Sequence, residues 1–306
     1  MKIISDVSVP LNINNPVITV GTFDGLHVGH RQILSRVLEL AKSRAKDSAV
    51  ITFYPHPRIV LGQDVALLNS QEEKRQIIKS TGIANLIEIP FTLEFSDLSA
   101  DDFISFINNM IKPSVVVIGY DHGFGRNRSG DIDTLRKAGE LYGFEVVYME
   151  PVFVEEHKVS STIIRNLLLD GEVEIASRLL GSPYSLMGKV IRGNQIGKRI
   201  GFPTANLLLD DQYKLIPAMG VYASLVEYKG EIYKGMTNIG LRPTINAHQL
   251  TVETNIFSFE EDIYYESLTI KLIERIRDER KFGNLNSLKE QLKADRETTI
   301  KLLKGY

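Results

Sequence analysis

Short apolar runs alternate with amphipathic stretches from the N-terminus to Leu180. Consecutive apolar or β-branched residues are typical of buried strands, whereas apolar residues that recur every three or four positions indicate helices. Five strands are predicted, at Val17–Val20, Ala49–Phe53, Leu86–Ile89, Val115–Ile118 and Val146–Met149. Helices are predicted at Ile33–Ala41, Glu72–Lys79, Asp102–Met110, Ile132–Leu141, Thr162–Leu169 and Val173–Leu180. Strands that alternate with helices imply a parallel sheet covered on both faces.

The pattern changes after Leu180. Gly181, Ser182 and Pro183 form the predicted linker, because glycine and proline stop helices. Short β-branched and aromatic runs follow, and Tyr228–Glu231 has the composition of a hairpin turn between two of them. We therefore predict an α/β domain at 1–182 and an all-β domain, a small barrel, at 183–306. The predicted β segments are Val221–Tyr228, Glu231–Asn238 and Thr251–Phe257, and a helix at Leu285–Leu303 is expected to pack on the barrel.

Composition narrows the class of protein. The chain has 306 residues, enough for two domains, and a formal net charge of −2, without the basic surplus of a nucleic-acid-binding protein. It has no cysteine, which excludes disulfides, thiolate metal sites and a cysteine nucleophile. The N-terminus has no signal-peptide pattern, and no apolar run has the roughly 20 residues of a membrane helix. We expect a cytoplasmic protein without nucleic-acid or membrane partners.

The segment from Gly21 to His30 carries the clearest chemistry in the first domain. It follows the first predicted strand and precedes a helix, and it contains His27 and His30 in a His-x-Gly-His arrangement. A helix N-terminus offers unpaired N–H groups to a phosphate, and two imidazoles one turn apart can donate hydrogen bonds to phosphate oxygens. A plain loop and helix cap is the alternative interpretation of these histidines.

Three further segments lie at predicted strand ends or helix starts, where one cleft could gather them. They are Thr52–Pro57, which contains His56, Gly119–Gly125, which contains Asp121 and Phe124, and Val159–Arg165, which contains Ser161, Thr162 and Arg165. Hydroxyls and N–H groups at a helix start, with an arginine one turn on, can hold a phosphate. Taken singly, Pro55-His56-Pro57 is also a stiff turn and Ser160–Thr162 an ordinary helix cap.

The second domain carries its own glycine-rich segment, from Gly188 to Leu207. Its loop can fold over phosphates, and it ends in the sequence Gly-Phe-Pro-Thr-Ala-Asn at positions 201–206. The Thr204 hydroxyl and the Asn206 carbonyl are oxygen ligands that suit Mg²⁺. Strand alternation places Glu253 and Asn255 on one face, either toward solvent or toward a cleft.

These motifs resemble those of the bacterial bifunctional riboflavin kinase/FMN adenylyltransferases, and the resemblance covers essentially the whole chain. It implies a Rossmann-like nucleotidyltransferase domain, followed by a six-stranded Greek-key barrel with a terminal helix. It also implies two reactions: phosphorylation of riboflavin to FMN by the barrel, and adenylylation of FMN to FAD by the first domain. ATP with Mg²⁺ would serve both, without a tightly bound organic cofactor.

The resemblance also assigns roles to residues. In the first domain, His27 and His30 would be catalytic, His56, Asp121 and Phe124 would contact the flavin, and Ser161, Thr162 and Arg165 would hold the departing pyrophosphate. The ATP-binding set there is Gly21, Phe23, Asp24, Gly25, His27, His30, Ser161, Thr162 and Arg165. In the barrel, Glu253 would be the catalytic base, and Asn255, Arg277 and Arg280 would contact the flavin. The ATP-binding set there is Gly188, Gly193, Gly197, Lys198, Gly201, Thr204 and Asn206, with the metal on Thr204 and Asn206.

The chain departs from this family pattern at His122-Gly123 and at Ile163. Two alternatives follow: a riboflavin kinase with a weakened or inactive adenylyltransferase domain, and a flavin-binding regulatory protein without turnover. A monomer or weak oligomer is expected in each case.

Overall fold

The computed structural model describes residues 1–120, 122–193, 196–243 and 248–306. Two compact units divide the chain, Met1–Ser160 and Ser161–Tyr306. The helices predicted at Thr162–Leu169 and Val173–Leu180 thus lie in the second unit, although the sequence pattern assigned them to the first. An amphipathic pattern shows that a helix buries one face, but not which neighbour covers that face. The domain boundary after Ser182 stays a prediction.

A parallel sheet of six strands forms the centre of the first unit, with hydrogen-bonded neighbours in the order β1-β4-β3-β2-β5-β6. Its strands are β1 (Lys2–Ile4), β2 (Val17–Val20), β3 (Ser48–Tyr54), β4 (Asn85–Pro90), β5 (Val115–Gly119) and β6 (Glu145–Met149). The helices are α1 (Val28–Ser43), α2 (Pro57–Val60), α3 (Gln71–Ser80), α4 (Leu93–Ser96), α5 (Ala100–Ile111) and α6 (Ile132–Tyr142). A small hairpin of β7 (Phe153–Val154) and β8 (His157–Lys158) follows the sheet.

Helices cover both faces of this sheet, which confirms the predicted α/β class. Ile18 and Ile51 face one core together with residues of α5 and α6, whereas Val17 and Val50 face the other with residues of α1 and α3. Successive residues of a strand point to opposite faces, so strands buried on both sides are continuous apolar runs. This is why the sequence revealed them.

The strand order places the motifs of the first unit at one edge of the sheet. β4, β3, β2 and β5 are neighbours and run parallel. The segments that follow β2, β3 and β5 are therefore adjacent at the carboxyl edge, where ligands of open α/β sheets bind. The edge strand β1 was not predicted, because its three residues are too short to show a pattern.

The second unit contains a closed antiparallel barrel with the strand order β10-β13-β12-β11-β14-β9, which confirms the predicted barrel. Its strands are β9 (Tyr184–Ile191), β10 (Ala205–Leu209), β11 (Gly220–Tyr228), β12 (Glu231–Pro243), β13 (His248–Ile256) and β14 (Ser267–Arg277). Its helices are α7 (Ser161–Asp170), α8 (Val173–Leu180), α9 (Ile196–Arg199) and α10 (Leu285–Leu302). The terminal helix was predicted at nearly the same bounds.

The turn between β11 and β12 is the predicted two-residue hairpin. Tyr228 pairs with Glu231, and the two residues between them have positive φ, 49° at Lys229 and 86° at Gly230. Positive φ at both central residues is the geometry that matches the twist of paired strands. Glycine adopts it without steric cost.

Side chains alternate between the inside and the outside of the barrel. On β13, Thr254 is fully buried and its hydroxyl lies 2.9 Å from that of Thr237, which lies 2.7 Å from that of Ser224. Met236, on the opposite face of β12, packs in a cluster with Leu292 of α10. Glu253 and Asn255 share this outer face.

Within the described part of the chain, none of the helices combines the length and the apolar character that crossing a bilayer requires.

Candidate active sites

Two imidazoles face each other at the N-terminus of α1. His27 is the N-cap, and its Nδ1 accepts a hydrogen bond from the backbone N–H of His30 at 3.3 Å. The two rings are stacked, with centroids 3.7 Å apart and an interplanar angle of 13°. The capping role that the sequence left as an alternative is thus present, and it fixes the imidazole of His27 beside that of His30 at the end of the helix that favours phosphate.

His30 has an unusual electrostatic environment. Burial is the main cause that lowers its pKa well below the ordinary value, and the nearby His27 and Lys74 lower it further. Its Nδ1 is buried and has no hydrogen-bond partner among the described residues. A buried nitrogen without a partner is rare in folded proteins, and this environment favours the neutral form of the imidazole.

Strained backbone shapes the loop that leads to these histidines. Phe23, Gly25 and Leu26 have φ values of 49°, 88° and 41°. The side chains of Phe23 and Leu26 are buried in the core, which holds the two non-glycine residues in a conformation that they rarely adopt. Asp24, predicted to bind ATP, is buried and accepts the backbone N–H of Leu68 at 2.8 Å. It therefore braces the loop.

The other predicted ligands of the first site differ in their placement. His56 is the N-cap of α2, and its Nδ1 accepts the N–H of Arg58 at 3.2 Å. Phe124 packs in the core, with its ring 5.6 Å from that of Phe103, and with His122 it lines a mostly apolar pocket. Asp121 lies outside the described residues. Flavin contacts by these residues stay predictions.

The predicted phosphate clamp lies in the second compact unit. Ser161 and Thr162 begin α7, and Arg165 follows one turn later, half-buried. This is the arrangement of hydroxyls, backbone N–H groups and a cation that the sequence predicted within one helix. Its convergence with the two imidazoles stays a prediction.

Three polar residues of the barrel site are set side by side by strand register. Asn206 of β10 is opposite Glu253 of β13, and Glu253 is opposite Asn238 of β12. Residues directly opposite each other in antiparallel strands have Cβ atoms about 4.5–5.5 Å apart and share a face. The half-buried Glu253 carboxylate is thus flanked by two amides on the outer surface of the barrel.

The glycine-rich loop lies close to Asn206, one of these three residues. A Cβ atom at Gly193 would lie 2.3 Å from Asn206 Nδ2, so only glycine allows the loop this close an approach to the amide. Asn255 is buried, and its Nδ2 donates to the carbonyl of Pro203 at 2.6 Å, which holds the backbone immediately before Thr204. Asn255 thus fixes the loop, and the structure brings Thr204, Asn206 and Glu253 to neighbouring positions.

The remaining residues predicted to bind ATP in the barrel occupy different settings. Gly188 lies within β9, where a Cβ would meet the carbonyl of Leu208 at 2.1 Å, so it allows close strand pairing. Gly197 is in close contact with the carbonyl of Phe202, Gly201 has a φ of 86°, and Lys198 is exposed on α9. Their contacts with ATP stay predictions.

Glu279 is a second carboxylate at this surface and was not predicted. A Cβ at Gly240 would lie 2.1 Å from Glu279 Oε1 and 3.0 Å from Asn238 Nδ2, so both side chains lie over the glycine. The run from Arg277 to Lys281 has three basic and two acidic residues, and nothing in the sequence singles out Glu279, which folds back on the barrel.

Arg277 and Arg280 are engaged with the terminal helix. The Nη2 of Arg277 lies 2.7 Å from Asp295 Oδ2, and its Nε lies 3.0 Å from Oδ1. Gln291 donates to Asp295 at 2.7 Å and accepts from Arg280. The guanidinium of each arginine also lies near the ring of Phe282. The flavin contacts assigned to both arginines stay predictions, and the structure gives them a role in holding α10.

Replacing Asp295 with alanine is expected to lower the free energy of unfolding of the barrel unit by about 3–5 kcal/mol, because it leaves Arg277 with a largely buried and unpaired charge. Peptide-resolved hydrogen exchange can report on this unit separately. The matched control is Glu290→Ala, which removes an exposed pair with Lys293 on the same helix and should cost less than about 1 kcal/mol. Equal losses in the two variants would contradict the assignment.

Together, these features define a class of protein. One unit has an imidazole pair at a helix N-terminus beside the carboxyl edge of a parallel sheet. The other has a carboxylate between amides, next to a glycine-rich loop, on a closed barrel. Both arrangements suit the phosphates of a nucleotide, and the chain is a transferase with two functional units.

The comparisons with known proteins identify the family. The FAD synthetase family matches residues 10–163 and the riboflavin kinase family matches residues 180–303. A bifunctional riboflavin kinase/FMN adenylyltransferase from Bacillus subtilis is 36% identical, over 93% of this chain and 92% of its own length. Its Escherichia coli K12 counterpart is 34% identical over 91% of this chain and 90% of its own length. The chain belongs to the family of bifunctional riboflavin kinase/FMN adenylyltransferases.

A solved structure has the same fold along the whole chain. The crystal structure of a Streptococcus pneumoniae protein, named as a macrolide-efflux protein, has a TM-score of 0.88, 33% sequence identity and coverage of 97% of both chains.

Proposed function

We propose that the barrel unit transfers the γ-phosphoryl group of ATP to riboflavin, giving FMN and ADP, and that the first unit transfers AMP from a second ATP to FMN, giving FAD and pyrophosphate. One observation in each unit supports this. In the barrel, register places Glu253 between Asn206 and Asn238. In the α/β unit, His27 and His30 stack at the start of α1.

Glu253 acts as the base of the kinase reaction. Phosphoryl transfer to an alcohol needs a residue that orients the hydroxyl and accepts its proton. The Glu253 carboxylate takes the proton of the riboflavin hydroxyl as its oxygen bonds to the γ-phosphorus, and ADP leaves. Strand alternation places the carboxylate on the outer face of the barrel, between two amides and on the side where the glycine-rich loop lies.

Thr204 and Asn206 would hold Mg²⁺ on the triphosphate. Their oxygens are the hard ligands that this ion prefers, and Gly193 leaves a space at Asn206 that a Cβ would fill. When bound, the ion neutralises charge on the phosphate oxygens. Asn255 contributes by fixing the Pro203 carbonyl and thereby the adjacent Thr204.

His27 and His30 stabilise the adenylyl transfer. A phosphate oxygen of FMN attacks the α-phosphorus of ATP, and the bond to pyrophosphate breaks. Negative charge moves onto the phosphate oxygens during this step, and donors that are already in place stabilise it most effectively. The lowered pKa of His30 favours a neutral ring at pH 7, and the one N–H that this ring carries is proposed to donate to a phosphate oxygen. Ser161, Thr162 and Arg165 are proposed to receive the pyrophosphate.

Purified protein supplied with riboflavin, ATP and Mg²⁺ is expected to form FMN first and FAD second, separated and quantified by chromatography with flavin fluorescence. Chelation of the metal should stop both steps. FMN that accumulates without FAD, also when FMN is supplied directly, would indicate an inactive adenylyltransferase unit. Flavin retained without ATP consumption would indicate a regulatory binding protein and would overturn the proposal. A cytoplasmic location and a monomeric or weakly associated state stay predictions.

A further inference from the structure

Helix α3 presents polar side chains to the carboxyl edge of the sheet in the first unit. A capping box fixes its start: Ser70 accepts the N–H of Glu73, and the Glu73 carboxylate accepts the N–H of Ser70. Arg75 forms two hydrogen bonds with the buried Glu88 of β4, at 2.9 and 2.6 Å. This pair fastens α3 to the sheet, next to the loop that carries the histidines.

Lys74, on the same helix, reaches that loop directly. Its side chain is buried, and its Nζ donates to the carbonyl of Thr22 at 2.8 Å. The hydroxyl of Thr52, at the end of β3, also points to this carbonyl, at 3.4 Å. Burial of an ammonium group is costly unless the group is paired or hydrogen-bonded. An apolar residue would be less costly at this position of the helix, which lies one turn before the buried Ile78.

The charge of Lys74 acts on the imidazole pair. Burial lowers the pKa of His30 most, and the nearby His27 and Lys74 lower it further, in that order. A positive charge opposes protonation of the ring, and it also attracts the phosphates of ATP to the same place. Lys74 thus affects the site in two ways: its hydrogen bond to Thr22 holds the loop backbone, and its charge acts on the His30 imidazole.

We propose that Lys74 is a positioning residue for adenylyl transfer, which holds the Thr22 carbonyl and so the loop of His27 and His30, and keeps a positive charge beside the imidazole pair. This inference rests on the function proposed above. It assigns to α3 a part in the reaction, in addition to its attachment to the sheet through the Arg75–Glu88 pair.

The test compares Lys74→Met with Lys74→Gln and with Lys79→Met, an exposed lysine at the end of α3. Lys74→Met should lower kcat/KM for FAD formation about 10- to 100-fold, since a small displacement of a reacting group has an effect of this size. Lys74→Gln keeps a donor for the Thr22 carbonyl and should recover part of the loss. Lys79→Met should match the wild type. FMN formation by the barrel of the same molecule is an internal control for the amount of active protein, and hydrogen exchange of the β2–β5 amides reports on folding of the first unit.

The second readout is the NMR titration of the His30 imidazole, assigned with His30→Gln. Loss of the ammonium charge should raise the His30 pKa in both Lys74 variants and leave it unchanged in Lys79→Met. An unchanged titration or unchanged FAD formation in both Lys74 variants would overturn the inference. Should Lys74→Met fail to fold, Lys74→Gln decides alone. A wild type without FAD formation would instead contradict the proposed function.

Discussion

Replacing Glu253 with glutamine is expected to lower FMN formation by about 10²- to 10⁴-fold, the contribution typical of a general base. FAD formation from added FMN should continue at the wild-type rate. Glutamine has the shape of glutamate and can hydrogen-bond to Asn206 and Asn238, the residues opposite it in the barrel. It cannot accept the proton of the attacking hydroxyl.

The measurement is the initial rate of each reaction with its own substrate, riboflavin or FMN. The matched control is Glu231→Gln, an exposed carboxylate at the start of β12 in the same barrel, which should leave both rates unchanged. A loss of both activities in Glu253→Gln would count against separate sites. A loss only in affinity for riboflavin, with kcat retained, would assign Glu253 to binding rather than to proton transfer.

The double variant His27→Asn/His30→Gln is expected to show the reverse: FAD formation falls while FMN formation is retained. The rate of FAD formation should fall by about 10²- to 10³-fold or more, the effect of removing a preorganised donor. FMN should accumulate when riboflavin is supplied, since the barrel is untouched. Asparagine is chosen at position 27 because it is among the most favoured N-cap residues and can keep the cap of α1. The loss can then be attributed to the imidazoles.

The matched control for this variant is His157→Gln, on β8 of the same unit, which should form FAD at the wild-type rate. Each histidine should also be replaced singly, because stacked rings act as a unit and their effects need not add. Wild-type FAD formation in the double variant would remove His27 and His30 from the mechanism and leave the cap as their only role.

The candidate sites show where sequence patterns were informative. The His-x-Gly-His segment and the Gly-Phe-Pro-Thr-Ala-Asn segment are local, because a loop and the start of a helix or strand place their residues within a few positions of one another. Asp24, Asn255 and Arg277 stand in similarly recognisable segments, yet the structure shows them bracing a loop, the Pro203 carbonyl and a helix. Side-chain type and position along the chain do not specify the partner of a polar group.

Lys74 and Glu279 illustrate the same limit from the other side. No motif marks the segment of Lys74, and nothing distinguishes Glu279 from its neighbours between Arg277 and Arg280. Both reach a site across the fold, Lys74 to Thr22 and Glu279 to the surface at Gly240. Such contacts join segments about 40 to 50 residues apart along the chain. They exist only after the sheet and the barrel have formed.

The sequence by itself determined the α/β class of the first unit, the barrel character of the second and the hairpin at Lys229-Gly230. It also located the His-x-Gly-His and Gly-Phe-Pro-Thr-Ala-Asn segments. These follow from the period of apolar residues and from local backbone preferences, which act over a few positions. Tertiary structure alone decided the register that sets Glu253 between Asn206 and Asn238, the compact unit to which α7 and α8 belong, and the burial of Lys74. The physical reason is that packing and strand pairing join residues that are distant in the chain, and a local pattern carries no information about the distant partner.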